Sequence, residues 1–234
     1  MVSGSEMKRT AGGALLSLYV SYFRGAAVML ALLAAGTSAF AANVSLVVLR
    51  KDGRPLAGAI VTAEPESQKL ASAAPQKAVV DQVDLAFVPD VIVIPVGSSV
   101  SFPNSDVVSH QVYSFSPARR FQLPLYRGKQ HSPVVFDQPG IVTLGCNIHD
   151  NMVAYVVVTT APFFGRTNES GLWVAQNVPE GTYRVQVWHP WLKDATTMLE
   201  RVVRIGGGSQ DVVLKIDETT RPPPLKGHPH SWDY

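Results

Sequence analysis

Short β-branched runs follow one another along most of this chain, each closed by a turn residue. That succession constrains the fold more than any other feature. Val44–Arg50 (VSLVVLR) and Ala59–Ala63 (AIVTA) flank the turn-rich KDGRPLAG, and the spacer SQKLASAAPQ follows. Then come VIVIPVG, SVSFPN, HQVYSF (His110–Phe115), SPVVF, IVTLG and VAYVVV, with connectors carrying Gly, Pro, Asn and Asp. Alternating or β-branched runs of this length with such punctuation predict strands. Their close spacing predicts an all-β chain, a Greek-key sandwich plus a second, smaller β-sandwich. Only Lys193–Glu200 suggests a short helix. RVVRIGGGSQDVVLKI predicts a closing hairpin, and the Pro-rich residues 218–234 predict a disordered tail.

The first forty residues read as an export signal. Basic Lys8, Arg9 and Arg24 precede the apolar run Gly25–Gly36, and Ala39 and Ala41 frame an A-x-A site, so residues 1–41 are expected to be removed. The apolar run is shorter than the ~20 residues a membrane-spanning helix needs. The preceding AGGALLSLYVSYF is apolar as well, so membrane contact is expected only if this segment is retained. The signal contains Glu6, Lys8, Arg9 and Arg24. Of 20 basic and 18 acidic residues, 17 of each therefore remain. A neutral chain carries no electrostatic footprint for nucleic acid. The remaining residues suffice for one large or two small cored domains.

Export sharpens the question raised by Cys146, the single cysteine. It cannot form an intramolecular disulfide, and a free thiol in an oxidising compartment survives if it is buried or held by a metal. Cys146, His149 and Met152 fall within seven residues, in GCNIHDNM, between two predicted strands. His110, at the start of HQVYSF, is the best candidate for a fourth ligand. One thiolate, two imidazoles and a thioether are the donor set of a trigonal copper site with a weak axial methionine. Zinc is the alternative metal, disfavoured by the single thiolate and the thioether. A packed loop without metal is the alternative to both. Of the other histidines, His131 is expected in a solvated loop, His189 packed or capped, and His228 and His230 in the tail.

These residues resemble the cupredoxins, the plastocyanin and amicyanin group of blue-copper proteins. The likeness covers about Val79–Thr160, through FPNSDVVSHQV and FDQPGIVTLGCNIHDNM. It implies His110, Cys146 and His149 as equatorial ligands, Met152 as axial ligand, and one type 1 copper ion. Three positions depart from the group's pattern. Gln111 stands where Asn is usual, Ile148 where Pro is usual, and Asp150 and Asn151 make the rim polar.

A second resemblance, to carboxypeptidase-regulatory-like or transthyretin-like sandwiches, rests on VVLRKDGRPLAGAIV and on Asn168, Gly171, Pro179, Gly181 and Tyr183. It implies a discontinuous unit, 44–64 with 161–217, into which the copper unit 77–160 is inserted. Two consecutive domains are the alternative. The function expected is that of a periplasmic electron carrier meeting a dehydrogenase or cytochrome by transient contact. Copper delivery or sequestration without a redox role is the alternative, and a metal-free binding module is a third. Six histidines, two in the tail, leave too few for a second copper site, so no enzyme is expected.

Overall fold

The computed structural model describes residues 41–128 and 131–216, with no helix among them. Residues 1–40 of the expected 1–41 signal, and the expected tail, lie outside the described residues, while Ala41 opens the first strand. The chain opens with β1 (Ala41–Arg50) and β2 (Ile60–Pro65). Ten short strands follow: β3 (Lys77–Val79), β4 (Asp81–Val83), β5 (Ala86–Val88), β6 (Val91–Pro95), β7 (Ser98–Ser101), β8 (Tyr113–Ser114), β9 (Phe121–Gln122), β10 (Val134–Phe136), β11 (Gly140–Gly145) and β12 (Val153–Thr159). Then come β13 (Phe163–Arg166), β14 (Leu172–Pro179), β15 (Gly181–Trp188), β16 (Leu199–Ile205) and β17 (Ser209–Ile216).

The first and last strands share sheets. β1 lies between antiparallel β14 and parallel β17, and β2 lies between β13 and β15, with β16 beyond. Alternation drives this packing. Ala42, Val44, Leu46 and Val48 of β1 are buried while their neighbours are not. They meet Val61, Ala63, Tyr183, Val185 and Val187 from the second sheet in one core. Each fully buried Val or Leu contributes about 1.5–3 kcal/mol. Thr167 clamps early chain to late. Its buried hydroxyl donates to the Leu56 carbonyl at 2.7 Å and accepts the Ala59 N–H at 2.9 Å. Gly171 seals the turn against β1. Its φ is +70°, and a Cβ there would stand 2.5 Å from the Val48 carbonyl oxygen.

The intervening strands build the other sandwich. One sheet has the order β6-β12-β11-β8-β9, a second has β10-β7-β3, and β4 and β5 form a hairpin. Phe102, Val112, Phe136, Leu144 and Val156 fill the core around Cys146 and Met152. β12 is covered on both faces. Ala154, Val156 and Val158 point into this core, while Tyr155 and Val157 pack into the other. A strand buried on both sides needs no polar alternation, which accounts for the continuous VAYVVV.

Several local expectations change. β16 and β17 do not form a hairpin. β16 pairs with β15, and the Gly206–Gly208 link carries the chain to the opposite sheet, where β17 runs parallel to β1. The Gln210 side chain satisfies the link, accepting from Gly206 N–H and donating to the Arg204 carbonyl. Lys193–Glu200 holds no helix. Asp194 accepts hydrogen bonds from the Thr196 N–H and the Thr197 hydroxyl, a side-chain turn that competes with helix. His110–Phe115 is strand only at Tyr113–Ser114; His110 itself makes an isolated bridge to Tyr126.

Candidate metal centre

Cys146 directly follows β11. Gly145, the last residue of that strand, pairs with Tyr113 of β8, and the Tyr113 ring lies so close that a Cβ on Gly145 would stand 2.8 Å from it. This packing fixes where the strand ends and the thiol begins. The chain then turns back toward β12, with the Met152 N–H donating to the His149 carbonyl at 3.0 Å. His110 approaches from the other side. Its N–H and carbonyl pair with the carbonyl and N–H of Tyr126 at 3.0 and 2.9 Å.

Three donor atoms converge. The Nδ1 atoms of His110 and His149 are 3.1 Å apart, and Cys146 Sγ lies 3.9 Å from the first and 3.7 Å from the second. A triangle with these sides has its centre about 2.1 Å from every corner, within the range of metal–nitrogen and metal–sulfur bonds, roughly 2.0–2.3 Å. Two imidazole nitrogens that close repel unless a proton or a cation lies between them. His110 and Cys146 are buried, and His149 is half-buried. Met152 is fully buried in the same core as Cys146.

The partner of His110 was not foreseen from the sequence. Its Nε2 hydrogen-bonds Asp106 Oδ2 at 2.9 Å. The same carboxylate accepts the Leu85 N–H at 2.8 Å and the Val107 N–H at 2.6 Å. These bonds, the Leu85 one foremost and then His110, hold its pKa down at about 2, against the opposing effect of burial. Asn104 braces the loop, accepting the Asp106 N–H and donating to the Val108 and Tyr126 carbonyls. The only trace in the sequence is the polar NSD four residues before His110, which is also an ordinary turn signal. Burial, and then the nearby His110, push the His149 pKa below the ordinary histidine value.

Gln111, where the resemblance implied Asn, donates to the Leu123 carbonyl at 3.0 Å. Ile148, beside His149, is half exposed, so the rim is less polar than Asp150 and Asn151 suggested. His131 is half-buried rather than freely solvated. Its ring packs edge-on against Tyr126, with centres 4.7 Å apart, and its Nε2 is buried. His189 is packed, as expected. Nε2 faces the Ala57 carbonyl at 3.2 Å and Nδ1 accepts the Trp191 N–H. Burial lowers its pKa to about 4. His228 and His230 lie outside the described residues.

No protein-family model and no curated protein sequence matches the chain. Solved structures do match. A purple cupredoxin from Nitrosopumilus maritimus is 24% identical over 35% of this chain and 99% of its own, with a TM-score of 0.32. Amicyanin from Paracoccus versutus is 19% identical over 42% of this chain and 98% of its own, with a TM-score of 0.33. The copper-containing nitrite reductase of Thermus scotoductus is 24% identical over 48% of this chain and 28% of its own, with a TM-score of 0.34. Each of these three solved structures matches less than half of this chain.

Proposed function

We propose that this protein is an exported, periplasmic electron carrier, and not an enzyme, that holds one type 1 copper ion. His110, Cys146 and His149 are the equatorial ligands, and Met152 is the weak axial one. The observation that carries this reading is the Nδ1–Nδ1–Sγ triangle, with its centre at bonding distance from all three atoms. The donor set suits copper in both oxidation states: sulfur favours Cu(I) and imidazole favours Cu(II). A single thiolate with a thioether is a poor set for structural zinc.

Bound copper supplies one-electron redox chemistry; the residues of this chain do the rest. Cys146 and His110 present their donors from a buried core, which excludes water and limits rearrangement. Half-buried His149 is the edge through which a partner, a dehydrogenase or a cytochrome, would exchange electrons across a small transient interface. The unit 77–160 is read as an insertion into the sandwich of 44–64 and 161–217. The pairing of β1 with β14 and β17 supports that division. The second sandwich, resembling a carboxypeptidase-regulatory-like module, would serve structure or docking.

Copper(II) titration of the folded chain, followed by visible absorption beside Cys146→Ser, tests the reading. Stoichiometric binding with intense thiolate-to-copper absorption, absent in the variant, is expected. Colourless binding indifferent to Cys146 would instead favour copper delivery or sequestration without a redox role.

A further inference from the structure

The β4–β5 hairpin contains a costly feature. Its two-residue turn, Asp84–Leu85, holds both residues at positive φ, +49° and +59°. A type I′ two-residue hairpin turn demands this conformation and usually meets it with Asn-Gly. A leucine there costs about 1 kcal/mol or more. The conformation aims the Leu85 N–H at Asp106 Oδ2, 2.8 Å away. The Val107 N–H takes the other oxygen. Asp106 is thus fixed from two segments, and the oxygen that Leu85 holds is the one facing His110 Nε2.

We infer that Asp106 is a positioning residue for the metal centre, holding His110 with Nδ1 bare and biasing bound copper toward Cu(II). The inference rests on the copper reading above. The chemistry follows from the hydrogen bonds. Two backbone N–H groups, of Leu85 and Val107, donate to this carboxylate and favour its ionised form, which can only accept; Nε2 of His110 then carries the hydrogen and Nδ1 the lone pair. Outer partners of metal-bound histidines fix the tautomer and raise ligand basicity in this way. The charge matters as well. The Asp106 side chain is 6% exposed and that of His110 is fully buried. Water screens charges between such groups weakly. Among the described residues no Lys or Arg forms an ion pair with Asp106. A fixed negative charge one imidazole away stabilises Cu(II) over Cu(I).

The test compares the full chain with Asp106→Asn and Asp106→Ala. Asn keeps an oxygen for Leu85 and His110 but carries no charge; Ala removes both bond and charge. Copper-loaded protein is titrated by spectroelectrochemistry. Asp106→Asn should keep the thiolate absorption and favour Cu(I) over Cu(II) by at least tenfold relative to the parent. That is a rise of 59 mV for one electron. An unchanged potential with intact absorption would overturn the charge argument. In parallel, nitrogen-15 NMR of the metal-free chain reads the His110 tautomer. It should be Nε2–H in the parent and in Asp106→Asn, and mixed in Asp106→Ala. The same tautomer in all three would overturn the positioning role. If the parent binds no copper, the copper reading and the charge bias fall together, and the NMR comparison still decides the positioning of His110.

Discussion

Tyr155 and Trp188 meet edge to face, their ring centres 5.0 Å apart. Tyr155 belongs to β12, three residues after Met152, and Trp188 ends β15 in the other sandwich. The strand that leaves the metal loop is therefore packed by both cores. Trp188→Ala should cost about 3–5 kcal/mol, the usual range for a buried Trp→Ala change. It should also loosen copper, so that absorption and circular dichroism of the loaded variant are lost together at lower temperature. A variant that unfolds with parental stability would contradict this coupling.

Thr167→Val keeps the shape but removes the hydroxyl between Leu56 and Ala59. A buried carbonyl and a buried N–H would then lack partners, at about 1–3 kcal/mol each. Urea denaturation should show a lower midpoint with an unchanged slope. Thr167→Ser, which keeps the hydroxyl, should recover most of the loss.

His189 makes stability depend on pH. Its pKa is lowered to about 4 by burial, against about 6.5 unfolded. The unfolded chain therefore binds the proton first. Stability from this site is complete above about pH 6.5 and falls as pH drops toward 4, by up to about 3 kcal/mol. Urea midpoints measured across that range for metal-free protein should fall with acidity, and His189→Gln should flatten the slope. An equally steep profile in the variant would assign the acid sensitivity elsewhere.

Met152→Leu tests the axial role proposed for the thioether. Copper should remain bound, because three stronger donors persist. The potential should rise, because loss of a weak donor harms Cu(II) more than Cu(I). Complete loss of copper would contradict an axial assignment.

The all-β class was legible because β-branched runs and turn residues act locally. The convergence of His110 on the cysteine loop was legible in part, since GCNIHDNM concentrates three candidate donors. Longer-range choices were not. The glycine-rich link looked like a hairpin turn, yet β17 found its partner in β1, more than 160 residues earlier in the chain. β3, β4 and β5 are three residues each and gave no periodic signal. Asp106 looked like a turn residue, because nothing local to it reveals that Leu85 and His110 both reach its carboxylate. His131 looked solvated because the residues between it and Tyr126 are polar, yet its ring packs edge-on against that tyrosine.

X-ray absorption on the copper-loaded chain tests the central claim most directly, because it reads the donor atoms themselves. The account predicts one sulfur and two imidazole nitrogens at roughly 2.0–2.3 Å, with the sulfur lost in Cys146→Ser. A shell of nitrogen and oxygen alone, the same in both proteins, would contradict it.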